Sequence, residues 1–354
     1  VATTTTTQAT TTTAPPPRSF SMAFTGDVLV HRRVNEVAAA AGQGSGRAFD
    51  FRPMFGPIRP WIEAVDWKVC HLEVTLAADS TGLSGYPRFR SPAELAHDLA
   101  EVGFDSCSTA SNHSLDFGAS GLVETADVLE AAGLRFTGTA RSEAEEWASR
   151  WYELAGVRAA HLSYSYGFNG LAPPADRPWM VRAIDEARIL ADAARARAEG
   201  AEFVVLSLHW GDEYVHAPNR MQAEMGRRLL ASPDVDLIIG HHAHVVQPID
   251  RIDGEWLVYG VGNLVSNMTQ PVRRDQLLVR VDVQEQPDGS FAVPRLEVVP
   301  LYLDNATLTV MPSGPGLRPP DLDADLAAEL DRSWARTVAV LEQGSGWGEV
   351  VVSG

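Results

Sequence analysis

The sequence predicts an α/β domain built on largely parallel strands and extended late in the chain by antiparallel ones. Three observations carry this. From Arg18 to about Gly254, short apolar runs alternate with amphipathic stretches at helical spacing, the pattern of parallel strands joined by helical crossovers. Past Gly254 the strands crowd together around a Pro287-Asp288-Gly289 turn, which marks a hairpin and a second sheet. Histidines and acids gather at the ends of the apolar runs, where sheets of this kind place their ligand-binding residues.

Taken in order, the first seventeen residues, VATTTTTQATTTTAPPP, have no apolar periodicity and favour extended polyproline II, so residues 1–17 are expected to form a Thr/Pro-rich disordered tether. Such segments join an anchor or a cleaved signal to an exported domain, and any export signal is expected upstream of Val1. SFSMAFTGDVLV, DWKVCHLEV, GFDSCSTAS, EFVVLSLHW and DLIIGHHAHVV read as successive strands. Between them lie helices: SPAELAHDLAEV with Ser91 as N-cap and Pro92 in the first turn, GASGLVETADVLEAAG closed by Gly133, AIDEARILADAARARAEG closed by Gly200, and NRMQAEMGRRLLASP stopped by Pro233. The main domain is expected over residues 18–310, and residues 311–354 are expected to form a linker and a helix, DADLAAELDRSWARTVAVLEQ, packed on it.

Composition excludes several functions. With 46 acidic against 29 basic side chains, the 354-residue chain carries a formal charge of -17, which repels nucleic acid and anionic membrane surfaces. Its basic clusters are only pairs: Arg32-Arg33, Arg227-Arg228 and Arg273-Arg274. No apolar run approaches the roughly eighteen residues of a transmembrane segment. Cys70 and Cys107 lie near the ends of expected strands, compatible with a disulfide or with two buried thiols, and lack metal or redox spacing.

The chemistry lies in side chains at strand ends. Asp27 follows the first strand, His71 and Glu73 share a face of the second by the period-two rule, and Asn112-His113 follow the third. His209 ends the fourth; His241, His242 and His244 crowd the fifth, with His242 and His244 on one face. Singly, each has an ordinary reading: Asp27 as a helix N-cap, Glu73 as a surface residue, His209 as a core histidine beside Trp210. Three imidazoles in four residues have no packing explanation, and together the set reads as a two-metal hydrolytic centre. Carboxylate, carboxamide and imidazole suit Mn, Zn, Fe or Mg, and paired cations activate water and stabilise developing negative charge. His31, His97, His161 and His216 lack such company, with His31 held as a reserve ligand.

The ordered motifs FTGD, LEVTL, GFDSCSTASNHSLDFG, GTA, LHWGDEY, GHHAHVVQP and YGVGNLVS resemble the CapA family of capsule-synthesis (poly-γ-glutamate) proteins, a branch of the calcineurin-like metallophosphoesterases. The resemblance runs from about Phe20 to about Ser266. It implies a four-layer α/β/β/α sandwich of two mixed sheets, metallo-dependent phosphatase-like, with two divalent metals at its edge. It also implies Asp27, Glu73, Asn112, His209, His242 and His244 as metal ligands, His113 as the acid that protonates the leaving group, Asp116 as its orienting carboxylate, and His241 either behind the ligand shell or as an alternative ligand. Three departures stand out. Leu29 occupies the place of the histidine in the usual Asp-x-His motif, and His71 stands where relatives usually carry Asn, offering a replacement nitrogen. Glu73 replaces an aspartate. Arg88 and Arg90 in YPRFRSP are candidate clamps for substrate carboxylates, or surface ion pairs.

Two functions of different classes follow from the resemblance. One is an exported, extracytoplasmic hydrolase acting on poly-γ-glutamate or another anionic envelope ester or amide, working beside capsule export machinery. The other is a non-catalytic envelope assembly or polymer-binding factor that keeps the fold.

Overall fold

A computed structural model describes residues 16–354 apart from residue 149. The expected tether therefore lies, through residue 15, outside the described residues. Two sheets stack face to face. The first runs in the order Val310–Pro312, Phe291–Leu303, Asp275–Glu285, Ser19–Val28, Trp67–Leu72, Ser106–Ser108 and Arg135–Thr137. Asn263–Val265 pairs parallel with Ser19–Val28, and Val351–Val352 pairs parallel with Phe291–Leu303. The second runs Ile249–Ile252, Glu255–Val258, Leu237–His241, Phe203–His209, Val157–Ser165 and Trp151–Leu154. Each has a parallel centre, and each gains antiparallel strands: three pairings in the first, one at either edge of the second.

Alternation of side chains builds the layers. Phe20, Met22, Phe24, Trp67 and Val69 of the first sheet meet Phe203, Val205, Leu237 and Ile239 of the second in one apolar layer. The intervening residues point outward. Ala23, Cys70 and Leu72 pack under Val34, Leu95, Leu99 and Leu129 of the helices covering the first sheet, whereas Val204, Leu206 and Ile238 pack under Ile189, Ala193 and Leu229 covering the second. The result is the four-layer α/β/β/α sandwich.

The late hairpin differs from expectation. Rather than founding the second sheet, Asp275–Glu285 pairs with Ser19–Val28, with Met22 opposite Val281. Its Val279, Val281 and Val283 continue the apolar face of Phe20, Met22 and Phe24 in the layer between the sheets. The second sheet is centred instead on Phe203–His209 and Leu237–His241 and recruits Val157–Ser165.

Helix boundaries follow local chemistry, with one correction. Asn219 and Gln222 form a reciprocal capping box at the start of Arg220–Leu230, and Asp185 caps Glu186–Ala198. Ser91 and Pro92, expected to open a helix, lie instead in the short strand Arg90–Pro92 paired with Thr75–Ala77, and the helix is Glu94–Val102. The Ala93 N–H at its start is taken by Ser80 Oγ at 3.1 Å, so the accepting oxygen comes from another segment. The closing helix Ala324–Leu341 packs against the first sheet through Leu330 and Leu341, and its Arg336 meets Asp275 at 2.7 Å. No helix among the described residues is long and apolar enough to cross a membrane.

Cys70 and Cys107 are register neighbours on parallel strands and form a disulfide spanning 37 residues of chain. Loop closure of that length restricts the unfolded chain by about 3–4 kcal/mol. Replacing both cysteines with alanine should lower unfolding stability by roughly 2–4 kcal/mol in urea titrations, and an unchanged midpoint would contradict this.

Candidate metal centre

At the carboxyl ends of the strands the apolar layer between the sheets turns polar. Trp67 and Val69 are followed on the same face by His71 and then Glu73; Phe203 and Val205 by Ser207 and His209; Leu237 and Ile239 by His241. A transition lies one step below, where His161 Nε2 meets Ser207 Oγ at 2.8 Å and the imidazole stands edge-on to Trp67. His161 is thus a buried core histidine. Two glycines permit the close approach of backbone. A Cβ on Gly26 would strike the Gly262 carbonyl, and one on Gly240 would strike the Tyr259 carbonyl and Trp210 Nε1. Beyond Gly240, His242 and His244 adopt φ of 83° and 56°, a left-handed backbone uncommon for histidine that costs about 1–3 kcal/mol per residue and is characteristic of functional turns.

Three groups of donor atoms result, each within 4.8 Å: Asp27 with His71 and His241, Glu73 with His242 and His244, and Asp27 with Glu73 and His209. His241 stands in the donor cluster rather than behind it, and its ring stacks on His71 with centroids 3.9 Å apart. His71 also belongs to the cluster. It faces Asp27 on the pairing strand, which compensates chemically for Leu29. His31 does not join. Its Nδ1 lies 3.0 Å from its own Leu29 carbonyl, and its ring stands against Phe89.

Hydrogen bonds orient the set. Ser108 Oγ lies 2.7 Å from His71 Nδ1, His71 Nε2 lies 2.9 Å from His209 Nδ1, and His209 Nε2 lies 2.9 Å from Asn112 Oδ1. This chain holds both imidazoles in defined tautomers if Ser108 donates at one end and Asn112 accepts at the other. Asp27 takes the His242 N–H at 3.1 Å and faces Nδ1 of His241 and His244, each at 3.2 Å. Asn263 Oδ1 meets His244 Nδ1 at 2.8 Å.

Burial dominates the electrostatics. It raises the Asp27 carboxyl, but the hydrogen bonds from His241 and His244 outweigh it and hold that group well below the usual range. Glu73 has no such compensation; burial, and then repulsion from Asp27, push its carboxyl well up. Burial also lowers His71, His209 and His242, the last to about 3, with neighbouring imidazoles adding to the effect. These rings are neutral, the protonation state a cation requires of imidazole, and of the three only His242 leaves a ring nitrogen, Nδ1, without a hydrogen-bond partner. The residues fit divalent metals on one further ground. Both Glu73 oxygens, His241 Nε2 and His242 Nδ1 are buried without a hydrogen-bond partner, although such atoms are normally satisfied.

Beside the cluster a cleft of about 670 Å³ is lined by His113, Asp116, Asn112, His244, Arg88, Glu213 and Tyr214, among others. His113 Nδ1 lies 2.7 Å from Asp116 Oδ2, and that oxygen also accepts the Phe89 N–H at 2.7 Å. Arg88 donates to the Asp116 carbonyl and lines the cleft. Arg90 does not line it. Its guanidinium pairs with Glu124 at 2.6 Å and lies over Phe117, an ion pair in place of the carboxylate clamp. Residue-by-residue reading had not assigned Ser108, Tyr166, Asn169, Glu213, Tyr214 or Asn263. Ser108, Glu213, Tyr214 and Asn263 stand within the motifs GFDSCSTASNHSLDFG, LHWGDEY and YGVGNLVS; Tyr166, tilted over His242 with centroids 4.4 Å apart, and Asn169 come from a loop with no motif.

The sandwich and its buried acid-and-imidazole cluster define a metallo-dependent phosphatase-like α/β protein. Residues 21–268 match the family described as "Bacterial capsule synthesis protein PGA_cap", and the chain belongs to it. It is 26% identical over 291 residues to the PGA biosynthesis protein CapA of Bacillus subtilis strain 168, covering 81% of this chain and 72% of that one. It is 25% identical over 327 residues to a probable polyglutamine synthesis accessory protein of Mycobacterium tuberculosis H37Rv, covering 80% and 84%. Among solved structures it is similar to the calcineurin-like phosphoesterase YfkN of Bacillus subtilis, at a TM-score of 0.48 and 14% identity over 91% of this chain and 98% of that one.

An unpartnered buried carboxylate costs about 1–3 kcal/mol. Glu73→Gln should therefore leave the metal-free protein as stable or more stable, yet abolish the rise in melting temperature that Mn²⁺ or Zn²⁺ produces in the parent. Thermal unfolding with and without chelator tests both halves, and an undiminished metal-dependent rise in the variant would remove Glu73 from the site.

Proposed function

We propose that this protein is an extracytoplasmic, metal-dependent hydrolase of capsule or envelope polymer metabolism, acting on poly-γ-glutamate or another anionic envelope ester or amide. The observation that carries the hydrolase reading is the Glu73 carboxylate, wholly buried with both oxygens unpartnered and neutral imidazoles around it. The polymer comes from the relatives, whose names tie them to PGA and polyglutamine synthesis. Placement outside the cytoplasm draws support from the Cys70–Cys107 disulfide and the Thr/Pro-rich start of the chain. Capsule export machinery is the natural neighbour of such a protein.

Asp27, Glu73, Asn112, His209, His242 and His244, joined by His71 and His241, would hold two divalent cations, with Mn, Zn, Fe and Mg all suited to these donors. Bound there, the cations supply Lewis acidity and a water acidic enough to attack near neutral pH. The protein's own groups do the remainder. Asp116, pinned by the Phe89 N–H, accepts from His113 Nδ1 and so leaves Nε2 as the atom that holds and releases a proton. Phe89, edge-on to the His113 ring at 4.7 Å, restricts its rotation. Arg88 braces Asp116 through its carbonyl and brings a positive charge to the cleft.

His113→Ala should keep near-parent metal content by elemental analysis while lowering kcat on poly-γ-glutamate or a chromogenic phosphodiester by roughly 10²–10⁴-fold. Asp116→Asn should fall between the two. Metal content of one or less per chain, with polymer bound and never cleaved, would instead assign the fold to a non-catalytic assembly or binding factor.

A further inference from the structure

The positive charges of this acidic chain are nearly all neutralised, and the exceptions are not scattered evenly. Among the described residues, the arginines with no carboxylate oxygen within 4.0 Å are Arg33, Arg88, Arg135, Arg227, Arg273 and Arg274. Three of these surround the cleft. Arg88 lines it, and Arg273 lies 3.5 Å from the ring centroid of Tyr214 on its rim. Arg33 lines a second groove of about 620 Å³ that shares His31, Tyr86 and Arg88 with the cleft and runs on past Arg32 and Asn267.

No residue lining that groove is acidic. Its guanidiniums are tethered to neutral acceptors: Arg33 to Asn267 Oδ1 at 3.3 Å, Asn305 Oδ1 at 3.4 Å and the Ala306 carbonyl at 3.2 Å, and Arg88 to the Asp116 carbonyl. Such bonds fix the side chain without cancelling its charge. Arg32 meets Glu36 only at 3.9 Å, with both side chains largely exposed. Neutral tethering of arginine is the arrangement suited to an anionic ligand, because the guanidinium is already ordered and its charge is still available. Tyr86, the most exposed large apolar side chain here at 81%, stands where groove and cleft meet and offers a surface to an aliphatic backbone.

We infer that the cleft and this groove form one continuous track for a linear polycarboxylate, with Arg88 at the junction and Arg33 holding carboxylates of repeat units remote from the bond that reacts. The inference rests on the reading of the substrate as an anionic polymer and adds where the rest of that polymer lies. Affinity accordingly depends on chain length: a fragment filling only the cleft forgoes the contacts with Arg33. Arg33 and Arg88 are binding and positioning residues here, with no proton to transfer.

The test is fluorescence anisotropy of end-labelled oligo-γ-glutamate of two residues and of a long polymer, using metal-loaded protein at several salt concentrations. The long chain should bind at least tenfold more tightly than the short one, with an affinity that falls as salt rises. Arg33→Gln should weaken long-chain binding by about tenfold and leave short-chain binding little changed, and Arg33→Lys should retain most of it. Arg227→Gln removes an equally unpaired charge remote from the track and should bind as the parent does. If Arg33→Gln does not fold, Arg32→Gln, on an exposed side chain, carries the same expectation at smaller size. Equal affinity for both lengths, no binding of either, or equal losses in the Arg33 and Arg227 variants overturns the track. Turnover without length dependence would remove the track and leave the hydrolase; Arg33-dependent binding without turnover would do the reverse.

Discussion

Two carboxylates shut away from water at the seam between two sheets are the constraint on which the rest of this structure depends. Asp27 and Glu73 are wholly buried, and a buried charge is tolerated only where hydrogen bonds or cations meet it. Asp27 is met by the His242 amide and by the rings of His241 and His244. Glu73 receives no hydrogen bond; His209 Nε2 at 3.5 Å and His244 Nε2 at 3.8 Å lie near it, and so does the Asp27 carboxylate, whose charge opposes its own. A carboxylate carried to such a place and left unmatched is the observation on which the proposed cation site rests.

The surrounding architecture serves to hold that seam. The alternation that fills the inter-sheet layer with Phe24, Trp67, Phe203 and Ile239 continues, without a change of face, into His71, Glu73, His209 and His241. The same period-two rule therefore makes the core and the site, and the difference is only how far along each strand a residue lies. Rigidity follows from this placement, since the donors sit on or immediately beyond central strands that are hydrogen-bonded on both sides. His113 and Asp116 lie on the turn after Ser106–Ser108, where they border the open cleft. Asp27, His71, His209 and His241 lie within strands, whereas Glu73, Asn112, His242 and His244 lie just beyond them.

Net charge takes on a different meaning at the scale of the cleft. The chain as a whole is strongly acidic, yet three of its uncompensated arginines, Arg33, Arg88 and Arg273, lie around the cleft and groove beside the candidate metal centre. Screening confines the field of distant acids to about 8–10 Å in physiological salt, so a local excess of guanidinium is what an incoming polyanion meets. Arg90 shows why position alone is a poor guide. Two residues from Arg88, it is neutralised by Glu124 from the neighbouring helix.

By itself the sequence made legible the side chains that gather into one donor cluster, because Asp27, Glu73, His209 and the GHHAH cluster visibly follow apolar strands. The alternation of apolar runs and helical stretches gave the α/β class, and the four-layer sandwich came from the resemblance of the ordered motifs to the capsule-synthesis family. Strands read from short apolar runs, and helices closed by Gly133 and Gly200, were legible because their causes are local. What only the tertiary structure decided were the pairings between distant segments: the late hairpin beside Ser19–Val28, Ser91 and Pro92 in a strand, His71 and His241 joined with Asp27, Arg90 given to Glu124, and Cys70 bonded to Cys107. The physical reason is that strand registry and ion pairing are settled by which buried faces and opposite charges meet in space, and that meeting has no fixed separation along the chain.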